Sequence, residues 1–185
     1  LVEAASYGLD GLNLGLLRHP PPMLYGPILV EGFKKKHGKP PPPPQTEDRT
    51  CFSSLPDMSE DCQEWYRYRS TFMTQFGHDL RAALNERGME HVKISLWLRP
   101  NHCLFDSIDL PLWLDKGLCD EVVVESYNPH EWNEEVYGVR PEWKEMVQSK
   151  VPLIRSTFAL GLEKAKDMAL SEGYDGLCTY ESDWF

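Results

Sequence analysis

Three carboxylic acids stand where short apolar runs end: Glu125 after Val122-Val123-Val124, and Glu181 with Asp183 after the run from Leu177 to Tyr180. Carboxyl groups at the ends of neighbouring strands can serve as a general acid and as its base or nucleophile partner, provided their surroundings hold the two pKa values apart. Glu125 is the leading acid/base, with Glu181 or Asp183 as its partner. Arginines end the other runs: Arg18, followed by His19, then Arg99 and Arg155. A guanidinium there can hold a carboxylate ionised or grip an anionic group through two parallel hydrogen bonds. His19 titrates near neutrality and is a further acid/base candidate, although a His before three prolines also shapes a turn.

Other chemistries lack a pattern. The six histidines show neither HExxH nor paired ligand spacing, so no metal is expected, and no P-loop, GxSxG or GxGxxG motif calls for a cofactor or a nucleophilic serine. Five scattered cysteines, an odd number without CxxC spacing, read as free thiols of a reducing compartment, which favours the cytoplasm. A net charge of -10 argues against nucleic acid or an anionic membrane as partner. Lys34-Lys35-Lys36 reads as a solvated helix end. No stretch approaches the length of an apolar membrane span, and no signal pattern opens the chain.

The elements that must carry these residues follow from a repeat. Gly8-Leu9-Asp10-Gly11-Leu12 recurs as Gly173-Tyr174-Asp175-Gly176-Leu177, with a degenerate copy at Gly117-Leu118-Cys119-Asp120-Glu121. Glycine ends helices because it tolerates positive φ, and each copy leads into an apolar run that reads as a buried strand. Helices alternating with buried strands make a parallel sheet, whose sites lie beyond the C-terminal ends of the strands. The strands are expected at 12–17, 92–98, 122–124, from 153, and at 177–180. Helices are expected at 64–87, with a stripe of Trp65, Tyr68, Phe72, Phe76, Leu80 and Leu84, and also after Asp109, at 142–148 and at 162–171. The composition, 41% hydrophobic and 26% charged over 185 residues, fits one core-bearing domain, 1–185.

A proline-rich insertion, 38–60, lies within a longer excursion between the first strand and the long helix. Pro40 to Pro44 favour extended polyproline II. Such a segment is a stiff surface spacer or a ligand for a proline-recognition domain, and a long loop after a strand can also close over a site as a lid. Met23-Leu24-Tyr25 and Ile28-Leu29-Val30 are too apolar for a free linker.

Asp10-Gly11-Leu12-Asn13-Leu14, Leu17-Arg18-His19-Pro20, Leu24-Tyr25-Gly26-Pro27, Val30-Glu31-Gly32-Phe33 and Phe72-Met73-Thr74-Gln75-Phe76 resemble the glycosyl hydrolase-like bacterial proteins related to family ten. In those proteins a DGIxLxxxR strand leads through HP or GP into a lid-like loop, a helix, and a strand ending in Arg-Pro. The resemblance implies a partial (β/α)₈ TIM barrel: about five parallel strands with flanking helices, corresponding to barrel strands four to eight of a fold that takes about 250 residues. The chain would then be a C-terminal half-barrel from a longer enzyme, and open strand edges would allow a homodimer. It also implies a carbohydrate substrate, hydrolysed by Glu125 with Glu181 or Asp183. Asn13, Arg18, His19, Arg99 and Arg155 would contact that substrate. Trp97, Tyr127, Tyr180, Trp184 and Trp132 would offer rings to a sugar face, and Trp65 and Trp113 would pack helices. Gly15 departs from the pattern, since many of those proteins carry Asp there. A carbohydrate-binding relative without turnover, or an interaction protein using its polyproline segment, are the alternatives.

Overall fold

The computed structural model describes residues 1–16, 25–43, 59–99, 104, 106–124, 139–157 and 162–179. Five strands, β1 (Gly11–Gly15), β2 (Lys93–Leu98), β3 (Glu121–Val124), β4 (Leu153–Thr157) and β5 (Gly176–Thr179), form one sheet in sequential order, every neighbouring pair parallel. Between them run α1 (Val2–Ala5), α2 (Pro27–His37), α3 (Glu60–Asn85), α4 (Leu110–Asp115), α5 (Pro141–Gln148) and α6 (Leu162–Ser171). The fold is therefore α/β, with a five-stranded all-parallel sheet and interleaved helices. No helix among the described residues is long and apolar enough to cross a membrane.

The glycine-aspartate repeat sets the sheet register. Gly8, Gly117 and Gly173 all take positive φ, as the turn out of a helix requires. The aspartate that follows then ties the coming strand to the preceding one. Asp120, just before β3, accepts the Ile94 amide of β2 at 2.7 Å and an Arg81 Nη2 bond at 2.5 Å. Asp175, just before β5, accepts the Leu153 amide of β4 at 2.8 Å and Gln148 Nε2 at 3.0 Å. In the first copy the backbone carbonyl of Asp10 takes that role, accepting the Lys93 amide at 3.0 Å. The first amides of β2 and β4, Lys93 and Leu153, thus find their acceptors on the residue that launches a neighbouring strand.

Side chains alternate along a strand, and register partners in a parallel pair share a face. Leu12, Leu14, Ile94, Leu96, Leu98, Val122, Val124 and Leu153 form one such set, and all belong to a single core cluster with Ala5 of α1, Met73, Leu80 and Leu84 of α3, Trp113 of α4 and Val147 of α5. One face of the sheet therefore carries the helices. The second face is smaller and more polar: Gly11, Asn13 and Gly15 from β1, Ser95 and Trp97 from β2, Val123, Ile154 and Ser156, then Gly176 and Cys178. Val123 is only 2% exposed yet lies outside the helix-side cluster. The strands also step forward along the ladder: β3 starts opposite Ser95, β4 opposite Val122 and β5 opposite Ile154.

Two helices differ from the sequence expectation. The α3 stripe includes Trp65, Tyr68, Leu80 and Leu84, but Phe72 and Phe76 are 39% and 37% exposed, and Met73 and Gly77 take the buried places between. Gly77 is the reason, because a Cβ there would meet the Trp113 ring at 2.8 Å, so the α3–α4 crossing needs a bare backbone at that point. Helix α2 forms within the excursion, of which the sequence marked only the helix end at Lys34-Lys35-Lys36. Pro27 opens it, Gly38 closes it with φ +71°, and its last turn carries Lys34, Lys35, Lys36 and His37, whose charge suits the helix C-terminus. Leu29, Val30 and Phe33 dock it on Trp65 and Tyr68. Within the proline segment, Pro41 and Pro42 are half-buried. Cys62, Cys119 and Cys178 are free thiols, and burial pushes the Cys119 thiol up to about 12.

Candidate functional site at the strand ends

Polar and aromatic groups collect toward the C-terminal end of the second face. Asn13 and Ser95 are register partners, and the Asn13 amide donates to Ser95 Oγ at 3.2 Å. One step further along, Gly15 faces Trp97, which is half-buried. Among the described residues, nothing lies within 4 Å of the position a Cβ on Gly15 would take, so among them β1 leaves open space beside the indole. Ser156 and Cys178, again register partners, continue the surface on β4 and β5. The Cys178 thiol is pushed up by burial and, secondarily, by the Glu121 carboxylate, although β4 lies between their strands.

A buried charged network sits directly beyond β2. Arg99 follows the last residue of the strand, is 3% exposed, and places Nη2 3.6 Å from Oδ1 of the fully buried Asp106. The next residue, Ser107, is also fully buried and holds φ at +67°, a value that only glycine adopts freely. Its hydroxyl accepts two bonds from the Arg69 guanidinium, from Nε at 3.2 Å and Nη2 at 2.9 Å. Arg69 comes from α3, is 2% exposed, and lies over the Tyr66 ring at 4.8 Å. Burial draws its pKa down, opposed by Tyr66, Tyr25 and Asp106. Sequence reasoning named Arg99 but missed Arg69, Asp106 and Ser107. The one available signal was an arginine set beside Tyr68 and Met73 on a helix face otherwise reading as apolar.

The expected site residues divide. Asn13 and Trp97 share the second face. Arg155 lies with Leu153 on the helix face, bonded to Glu172 and 5.7 Å from the Tyr174 ring, so it joins β4 to the end of α6. Glu125, Glu181, Asp183, Arg18, His19, Tyr127, Tyr180, Trp184 and Trp132 lie outside the described residues. Trp65 and Trp113 are 1% and 0% exposed packing residues. No group of three His, Cys, Asp or Glu side chains among the described residues is placed to hold a metal ion.

A concavity of about 610 Å³ opens between α2 and the first turns of α3, against Lys36, His37, Lys39, Glu64 and Tyr68. Several of its polar groups pair with one another. His37 Nδ1 meets Glu64 Oε1 at 2.8 Å, and Lys39 bridges Asp61 at 2.7 Å and Glu64 at 2.8 Å. Lys39 chiefly, then His37, holds Glu64 below the usual carboxylate range. That arrangement clasps α2 to α3. No protein-family model, curated protein or solved structure matches the chain.

Proposed function

We propose that the sheet is part of a (β/α)₈ barrel and that the chain is a glycoside hydrolase-like protein acting on a poly- or oligosaccharide at the C-terminal ends of its strands. The observation that carries this reading is the sequential parallel order with the helix-side core gathered on one face. A doubly wound sheet reverses its order and covers both faces with helices, whereas a barrel keeps its order and all its helices outside. The stagger supports the same reading. From β1 to β5 the strand starts advance by about one residue per strand, the average for shear 8 over eight strands. Further strands would pair with the outer edges of β1 and β5.

Glycosidic hydrolysis needs two carboxyl groups across the bond. Glu125 is the principal acid/base or nucleophile in this reading, with Glu181 or Asp183 opposite. The register supports Glu125 in particular. Leu98 and Val124 are the last partners of the β2–β3 ladder, and a ladder continued by one residue would set Glu125 beside Arg99. Arg99 beside it would keep the carboxylate ionised. Asn13 and Trp97 contact the sugar. The test is reducing-end release from pools of soluble polysaccharides. Wild type should release sugar, and Glu125→Gln should lose about 10²-fold or more in turnover while keeping oligosaccharide binding. Release from no pool, or an unimpaired variant, contradicts the proposal. The open space at Gly15 favours a second reading, a carbohydrate-binding protein without turnover, because β1 brings no acid to the site.

A further inference from the structure

We propose that Arg69 and Ser107 are positioning residues of this site: Arg69, from α3, grips Ser107 and so fixes the turn that carries Asp106, and thereby the Arg99 guanidinium at the C-terminal end of β2. The inference rests on the reading of the strand ends as the active region. Its grounds are geometric. Arg99 leaves β2 one residue past the ladder, where a long flexible side chain has many rotamers to choose from, and a site needs one of them. Asp106 is the charged neighbour set against it at 3.6 Å, and Asp106 is immediately followed by Ser107. Ser107 holds the left-handed conformation that β-substituted residues avoid, and such a residue persists only where its surroundings over-determine it.

Here the surroundings are identifiable. Two guanidinium nitrogens of Arg69 converge on the Ser107 hydroxyl, and the Ser107 amide closes a turn on the Leu104 carbonyl at 2.9 Å. Arg69 is itself clamped by the Tyr66 ring on the longest helix of the molecule. On the other side, Ile108 and Leu110 are buried in the core, so the segment after Ser107 is anchored as well. A lysine at 69 would bring the charge but not the planar fork that reaches one hydroxyl through two nitrogens. The strain at Ser107, two fully or nearly buried charges and a bidentate donor are more than a surface turn requires. Together they act as a rigid strut between α3 and the mouth of the sheet.

The test reads Arg99 directly, in ¹H–¹⁵N spectra of the arginine Nε–Hε groups of the whole chain. The Arg99 signal is assigned by its loss in Arg99→Lys. Ser107→Gly is the informative variant, because glycine accepts the positive φ while the hydroxymethyl side chain that receives the Arg69 bonds is removed. The expected result is Arg99 Hε exchange faster on the order of tenfold in Ser107→Gly and in Arg69→Lys, with the Ile94 and Leu96 amides of β2 unmoved. Should Arg69→Lys fail to fold, Ser107→Gly carries the test alone. An Arg99 signal unchanged in Ser107→Gly overturns the inference, since a network that only supports the fold would lower the melting temperature without freeing Arg99. Glu125→Gln separates this from the underlying reading. If that variant leaves the Arg99 signal in place, the pairing proposed for the site falls, whatever Ser107→Gly does.

Discussion

The Asp175 carboxylate is held below its ordinary pKa first by the Leu153 amide and then by Gln148. Its folded value therefore lies under its unfolded value. The stabilisation is present above the unfolded pKa and lost as pH falls through the folded one. Asp175→Asn should cost about 1 kcal/mol in urea unfolding at neutral pH, and the difference from wild type should shrink toward pH 3. A pH-independent difference would mean that the amide bond is not charge-assisted. Gly15 supports an opposite kind of prediction. With open space around it and an ordinary strand conformation, Gly15→Asp should leave stability within about 0.5 kcal/mol of wild type and should raise sugar release if the site lacks an acid. At this scale the sequence was partly legible. Asn13, Trp97 and Arg99 could be placed near strand ends because apolar runs mark the strands. Arg155 could have been read more closely, since it is two residues from Leu153 and so shares the helix face. The Arg69–Ser107 bonds could not be read, because they join residues 38 apart through a turn whose shape no local pattern announces.

Among the elements, the strands were the most legible, since β1, β3 and β5 begin at a glycine-aspartate turn and the strands are apolar on the face the helices cover. Helix α6 has the expected bounds, Leu162–Ser171, and α3 starts four residues before the expected Glu64, where Ser59 Oγ accepts the Cys62 amide. The α3 stripe was misplaced in its middle because its partner, Trp113, decides which side faces inward. Gly77→Ala tests that account. Helix propensity alone favours alanine by about 1 kcal/mol. The Trp113 contact at 2.8 Å should outweigh it and destabilise the chain by about 1–3 kcal/mol in denaturant unfolding. A stabilised variant would show that the ring moves aside freely. Helix α2 was legible only at its lysine-rich end, for a different reason. Proline and glycine at its ends read as loop, and only Phe33 of its residues is fully buried, so its sequence carries little of the core signal.

At the scale of the whole molecule, two surfaces compete as the ligand site. In the α2–α3 cavity Lys39, Asp61 and Glu64 pair with one another, whereas the second face of the sheet offers Asn13 and Trp97. The latter is the face on which the proposed barrel would hold its chemistry. The repeat made β1, β3 and β5 legible, and apolar runs alone marked β2 and β4. The stagger of the strands was not legible, because it is a property of the paired sheet rather than of any one strand. The deciding measurement is a map of amide and indole signals as an oligosaccharide that the chain hydrolyses or binds is added. The account predicts that the Trp97 indole and the Asn13 side-chain amide move first, with the Lys36–Lys39 segment unaffected. Shifts gathered instead on His37, Lys39 and Tyr68 would contradict it.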